Sequence, residues 1–355
     1  MGADGNAAAP ERETERRLNE TLTLELLFDG PLDAEIDEIA DALAEDFPDL
    51  RGWRPPFPNM PPVNIGGMTA AFLQSDDPDH GGRAMLISYP HIAKSPIRSF
   101  RAILDQAARQ SLTFKGASDA VAATRGHLTI NMDAKSTDIV DRFHAARVLS
   151  SIAAVFAKLP MCLGVYVPWA QMIVAPKMIV DAAEQAAKDE WPLSAWINIL
   201  IARDDSTQPP LWSAATIGLA SFKGVEMQFA KAPVDASAAV AQTFGACWLL
   251  LQSGNEFSDG NTIGLQDSDV HYRLRFFEEG REGVATDSWV IIHPDAPLAK
   301  TPEERAAPPP APIVKPGIAS TERPAGADQP SPIRVEIPPR PGFFASLLRR
   351  RDRMH

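Results

Sequence analysis

Cysteine is scarce: two residues in 355, Cys162 and Cys247, far apart and outside any CxxC pair. That spacing supports neither a disulfide framework nor a zinc site, and it fits a reducing cytoplasm. A surplus of positive charge is missing too. The formal net charge is −12. Residues 303–355 carry nine Lys or Arg against six Asp or Glu, a net of +3, which leaves −15 for residues 1–302. So acidic a body excludes broad nucleic-acid binding, which needs cations for the phosphates. It suits a protein partner, a basic one above all. No apolar run approaches the ~18 residues of a membrane span. Residues 1–17 lack the apolar stretch of a secretory signal, and Asn6 stands where a myristoylation motif needs Ser or Thr.

Motifs of known chemistry are also missing. There is no Walker A loop, dinucleotide-binding glycine loop, GxSxG elbow or HExxH. The seven histidines, His80, His91, His127, His144, His271, His293 and His355, show no ligand spacing. No catalytic residue, metal ligand or cofactor is assigned on this basis.

What is present is enough apolar residue, 45% against 23% charged, to bury a core in one or two domains. Residues 1–20 are polar and expected to be disordered. The segment 21–28, TLTLELLF, alternates like a half-buried strand, and 32–44 has helical apolar spacing. The prolines between 47 and 63 impose a loop, which holds Trp53 and Phe57. Strands are expected at 68–73, 83–89 and 127–132, and helices at 96–110 and 118–124. This β-α-β-β-α-β order predicts a ferredoxin-like half over 21–135.

The helix expected at 137–159, capped by Ser136, is apolar on most sides and should be buried between the two halves. Its strip of His144, Arg147, Ser151 and Lys158 reads as a solvent face; an anion site is the alternative. A second α+β half is expected over 136–295, with strands at 162–167, 196–202 and 212–220 and a helix at 176–188. The whole is predicted to be α+β, one or two ferredoxin-like sandwiches with mainly antiparallel sheets.

The best-specified stretch is 216–293. Asp235 is placed to cap a helix carrying Val240, Phe244, Cys247, Trp248 and Leu251 on one expected core face, with Gly254 as its C-cap. Cys247 is read there as a small core hydrophobe. Asp259-Gly260 marks a turn before the strand 262–265. The runs Phe222-Lys223-Gly224-Val225-Glu226-Met227 and Asp259-Gly260-Asn261-Thr262-Ile263-Gly264 resemble the bacterial family catalogued as domain of unknown function 4261. The resemblance covers 216–293 best. It implies a soluble bacterial α+β protein and no activity, and it makes Gly254, Asp259, Gly260, Thr262, Ile263 and Gly264 a structural turn. The alanine-rich helix and the long tail depart from it.

Twelve of the chain's 32 prolines fall between 302 and 341. Residues 296–341 read as a disordered, extended linker. The terminal peptide 342–355 places Phe343, Phe344, Leu347 and Leu348 before Arg349, Arg350, Arg351 and Arg353. That pattern suits docking in a partner groove or weak contact with anionic lipid.

The expected function is non-catalytic contact with another protein, as an adaptor or immunity-like factor. Two alternatives stand: an enzyme site near His91 and Lys94, at the end of the strand 83–89, and a peripheral membrane protein held by the terminal peptide. The acidic cluster Glu256, Asp259, Asp267 and Asp269 reads as solvated turn carboxylates rather than a calcium site.

Overall fold

The computed structural model describes residues 21–32, 35–56, 63–65, 68–75, 77, 81–89, 101–252, 257–264, 270–279 and 285–299. The peptide 342–355, His91, Lys94 and Gly254 lie outside these residues. The first sheet has seven strands: β1 (Thr21–Phe28), β2 (Val63–Ile65), β3 (Met68–Ser75), β4 (Gly82–Tyr89), β5 (Gly126–Asp133), β6 (Cys162–Val167) and β7 (Met172–Val174). Their order is β2-β3-β4-β5-β1-β6-β7. Every neighbouring pair is antiparallel.

Alternation in β1 sends Leu22, Leu24, Leu26 and Phe28 to one face, where all are buried. That inner face packs against α1 (Ile36–Asp46), α4 (Ile139–Ala157) and α5 (Pro176–Ala186). The outer face carries α2 (Arg101–Gln110) and α3 (Ala117–Ala123). They seat Leu104, Ala107, Ala117 and Val121 on Leu27, Tyr166 and Ile173, a smaller core at the β1-β6-β7 end.

The α+β class and the antiparallel sheets are as the sequence implies, but the strand order is not ferredoxin-like. In that arrangement the strands flanking the second helix run parallel, with the first strand between them. Here β4 and β5 are direct antiparallel neighbours, and β1 lies outside β5. The reason is the α2–α3 pair: one helix leads away and the other leads back, so the chain re-enters beside the end it left, with Tyr89 opposite His127. The division expected at residue 135 also moves. β6 and β7 complete the first sheet, so the change of sheet falls after Val174.

The second sheet joins β8 (Asn198–Asp204), β9 (Leu211–Ile217), β10 (Glu226–Ala232), β11 (Thr262–Ile263), β12 (Tyr272–Phe277) and β13 (Ser288–Ile292) in the order β11-β12-β13-β10-β9-β8. β10 and β13 run parallel and the other pairs antiparallel. The helix α8 (Ala236–Gln252) lies on β9 and β10. Asp235 caps it as expected, accepting from the amide of Ala238 at 2.7 Å. Its buried face differs from the expected stripe. Ala239, Gln242, Thr243, Ala246, Cys247 and Leu250 are buried, while Val240, Phe244 and Trp248 sit at the rim. Small side chains let the helix approach the sheet; Thr243 meets its own need by donating to the carbonyl of Ala239 at 2.7 Å.

Between the sheets, α4 is buried along thirteen of its nineteen residues, the two-sided burial that its sequence predicts. Its cap is Asp138, not Ser136: Asp138 Oδ1 accepts from Val140 N at 2.7 Å, and Ser136 accepts from Asp138 N. Arg142, fully buried, donates to the carbonyls of Ala134, Ser136 and Ser221. It thereby ties α4 to the short helix α7 (Ala220–Lys223), which leads into β10. Phe143, Trp191, Trp196 of the short helix α6 (Leu193–Trp196) and Phe222 pack tilted, edge-on or stacked with centroids 4.7–5.9 Å apart. One continuous hydrophobic core spans both sheets.

Candidate functional site

On the outer face of the first sheet, β1 presents Thr23, Glu25 and Leu27. Glu25 stands opposite Thr129 of β5 on one side and Tyr166 of β6 on the other. One row along, His127 stands opposite Leu27 and Tyr89. His127 Nε2 lies 3.1 Å from Glu25 Oε2, and its ring stacks on Tyr89 with centroids 5.5 Å apart and planes 14° from parallel. The imidazole is fully enclosed; the Glu25 side chain is 13% exposed.

Tyr166, 7% exposed, is held under α2 and α3. Burial, and after it the neighbouring Glu25 carboxylate, pushes its hydroxyl up to about 12. The same two causes in the same order raise Tyr89. Burial disfavours the phenolate, and a nearby negative charge disfavours it further. Among the described residues no hydrogen bond reaches Glu25 Oε1 or the Tyr166 hydroxyl, and no Lys or Arg pairs with Glu25.

Chemically, this is a carboxylate steered by an imidazole, with one oxygen open and two phenols beside it. With the imidazole enclosed, the Glu25 carboxylate and the Tyr89 ring are the partly exposed members of the group. The expected enzyme site lies close by in sequence, since Tyr89 precedes Pro90 and His91. Sequence reasoning stopped at His91 and Lys94, just past Tyr89, and gave no role to Glu25 or His127, 102 residues apart. One signal was available: Glu25 is the single charged residue in TLTLELLF.

The other candidates are structural where they are described. Asp259 accepts from Arg275 Nε at 3.0 Å and from Phe276 N at 2.9 Å, so its carboxylate is spent on β12. Gly260, at φ +90°, donates to the carbonyl of Leu274 at 2.8 Å, and Leu274 N returns a bond to the carbonyl of Asn261. Thr262 and Ile263 pair with Arg273 and Tyr272, and Gly264 follows them. Neither the strip on α4 nor its anion alternative holds together. Ser151 is buried, Arg147 pairs with Asp49 and Asp189, and Lys158 pairs with Asp46 at 2.7 Å.

Both thiols are buried, which pushes Cys162 up to about 12; burial, then Glu226, raises Cys247 well above its ordinary range. They are core residues, as read for Cys247. Among the described residues no three His, Cys, Asp or Glu side chains gather as a metal site would need, and no helix is long and apolar enough to cross a membrane.

Glu226, in the Phe222–Met227 motif, is buried and accepts four hydrogen bonds. They come from the Thr216 hydroxyl at 2.5 Å and from the amides of Gly218 (2.9 Å), Leu219 (3.2 Å) and Ala220 (3.2 Å). It fastens the β9–α7 turn to β10.

No family model, curated protein or solved structure matches this chain, so the likeness to the domain of unknown function 4261 rests on those two motifs alone.

Proposed function

We propose that the protein works by binding another protein, as an adaptor or immunity-like factor rather than as a catalyst, and that the open part of the first sheet's outer face is the contact surface. The observation behind this is a pair of cross-strand rows. One runs Val63–Ala70–Ile87–Thr129–Glu25, the other Phe72–Met85–Asn131–Thr23. Val63 is 39% exposed, and Ala70, Phe72, Met85 and Ile87 are all partly exposed. The water-facing side of an antiparallel sheet is normally polar. A contiguous apolar patch on that side suits a binding surface. The net charge of −12 favours a basic partner, and two unpaired thiols fit the cytoplasm.

Affinity capture with the full chain at low and moderate salt tests this, alongside Ile87→Asp and Met85→Asp. The expected result is one reproducible protein, retained by the native chain and lost by both variants at unchanged melting temperature. No reproducible protein at either salt sinks the reading. Capture that survives both variants but fails in a chain ending at Pro341 moves the contact from the sheet to the terminal peptide.

A further inference from the structure

We propose that Glu25 receives a lysine or arginine side chain of the docked protein, with Tyr166 and Tyr89 on either side of it. This rests on the protein-binding reading above and names the chemistry the partner must bring.

Position is the first argument. Glu25 continues the row Val63–Ala70–Ile87–Thr129, one strand beyond Thr129. A polypeptide lying along the apolar half of the face therefore meets the carboxylate where the cover of α2 and α3 begins.

The second argument is an incomplete set of partners. A carboxylate with its side chain 13% exposed has lost part of its hydration, and a cationic partner can replace that part. His127 engages Oε2 and fixes the orientation, while Oε1 has no partner among the described residues. Tyr166, 7% exposed, borders the carboxylate on the β6 side. Among the described residues, Arg101 of α2 is taken by Asp105 and by the carbonyl of Val121. A guanidinium or ammonium would supply both the charge and the donors that are missing. The rings beside it add the cation–π attraction that tyrosine offers a partly desolvated cation.

The third argument is the field of the whole molecule. At −12, the chain draws a basic partner toward itself before contact.

The test uses the full chain with its three tyrosines labelled at the ring carbons, followed by NMR. The probes are capped Ala-Val-X-Val-Ala peptides in which X is arginine, lysine or norleucine, with butylammonium as a free amine. The expected result is saturable shifts of Tyr89 and Tyr166 at millimolar arginine or lysine peptide, with Tyr272 still. Norleucine should bind about ten-fold more weakly, and Glu25→Gln should abolish the preference for the cationic peptides. Should Glu25→Gln fail to fold, judged by Tyr272, then Tyr89→Leu at the more open ring should lower the same preference several-fold.

Equal binding by the norleucine peptide, or no shift with any peptide, overturns the assignment of Glu25. Butylammonium binding as tightly as the peptides overturns the docked-protein source, making the site one for small amines. Capture lost in Ile87→Asp reports on the docking face alone, so the two readings can fail separately.

Discussion

Two glutamates, one buried and one partly buried, divide the molecule. Glu226, in the second sheet, is 7% exposed and accepts four hydrogen bonds. Glu25, in the first sheet, has a side chain 13% exposed and contacts one imidazole. Glu25 is the more exposed of the two, and among the described residues it has far fewer donors. A carboxylate that the chain satisfies four times over holds the fold together. One that the described residues satisfy once leaves an acceptor for something else. The number of partners separates a structural charge from a candidate site here.

The sharpest way to break this contrast is Glu226→Ala. It strands three backbone amides and a hydroxyl in the interior, and should cost about 4 kcal/mol of stability in urea denaturation. A loss below about 1 kcal/mol would show that the turn refolds around the gap and that Glu226 is no clasp.

Glu226→Gln should cost less, about 2 kcal/mol, because its NH₂ faces a backbone donor. It also carries a pH signature. Burial raises Glu226 above its ordinary 4.5, and its four donors pull the other way. With the folded value raised, stability is fullest below about 4.5 and declines as pH climbs through the folded value. The glutamine variant lacks that part of the decline. Thr216 can serve both states: its hydroxyl gives a proton to the carboxylate, or takes one and donates instead to the carbonyl of Met227 at 3.2 Å. Urea midpoints across the acid range, native against variant, read the difference.

Glu25→Gln should cost about 1 kcal/mol or less, since an amide still meets His127. A loss as large as that of Glu226→Ala would make Glu25 structural after all. The smallest effect is spectroscopic. Removing the Glu25 charge should lower the ultraviolet titration of Tyr89 and Tyr166, which that charge raises, and leave Tyr272, which burial raises and Gln242 lowers. Three tyrosines moving together would dissolve the distinction.

Much of the fold is legible from local pattern. β1 and β6 fall on the residues expected, because alternation and a bounded apolar run are local properties. The cap at Asp235 is equally local. The face of α8 is not: large residues at helical spacing suggest Val240, Phe244 and Trp248 for the core, but sheet contact selects small ones. Sheet membership is also hidden, because β6 chooses β1 as neighbour through pairings such as Leu26 with Val165, which no window of sequence contains. The Glu25–His127 contact fails for the same reason. Each residue alone reads as an ordinary polar group, and only the β1–β5 register joins them.

The two strands that complete the first sheet carry a consequence for synthesis. β1 has β5 on one flank and β6 on the other, and β6 is made only after the whole of α4. On the ribosome, β1 therefore waits with one edge bare while the 34 residues from the end of β5 to the end of β6 emerge, roughly two to seven seconds at common elongation rates. Its apolar TLTLELLF ladder is open to wrong partners for that interval. A nascent chain stalled before β6 should stay bound to chaperones, and one that has passed β7 should be released.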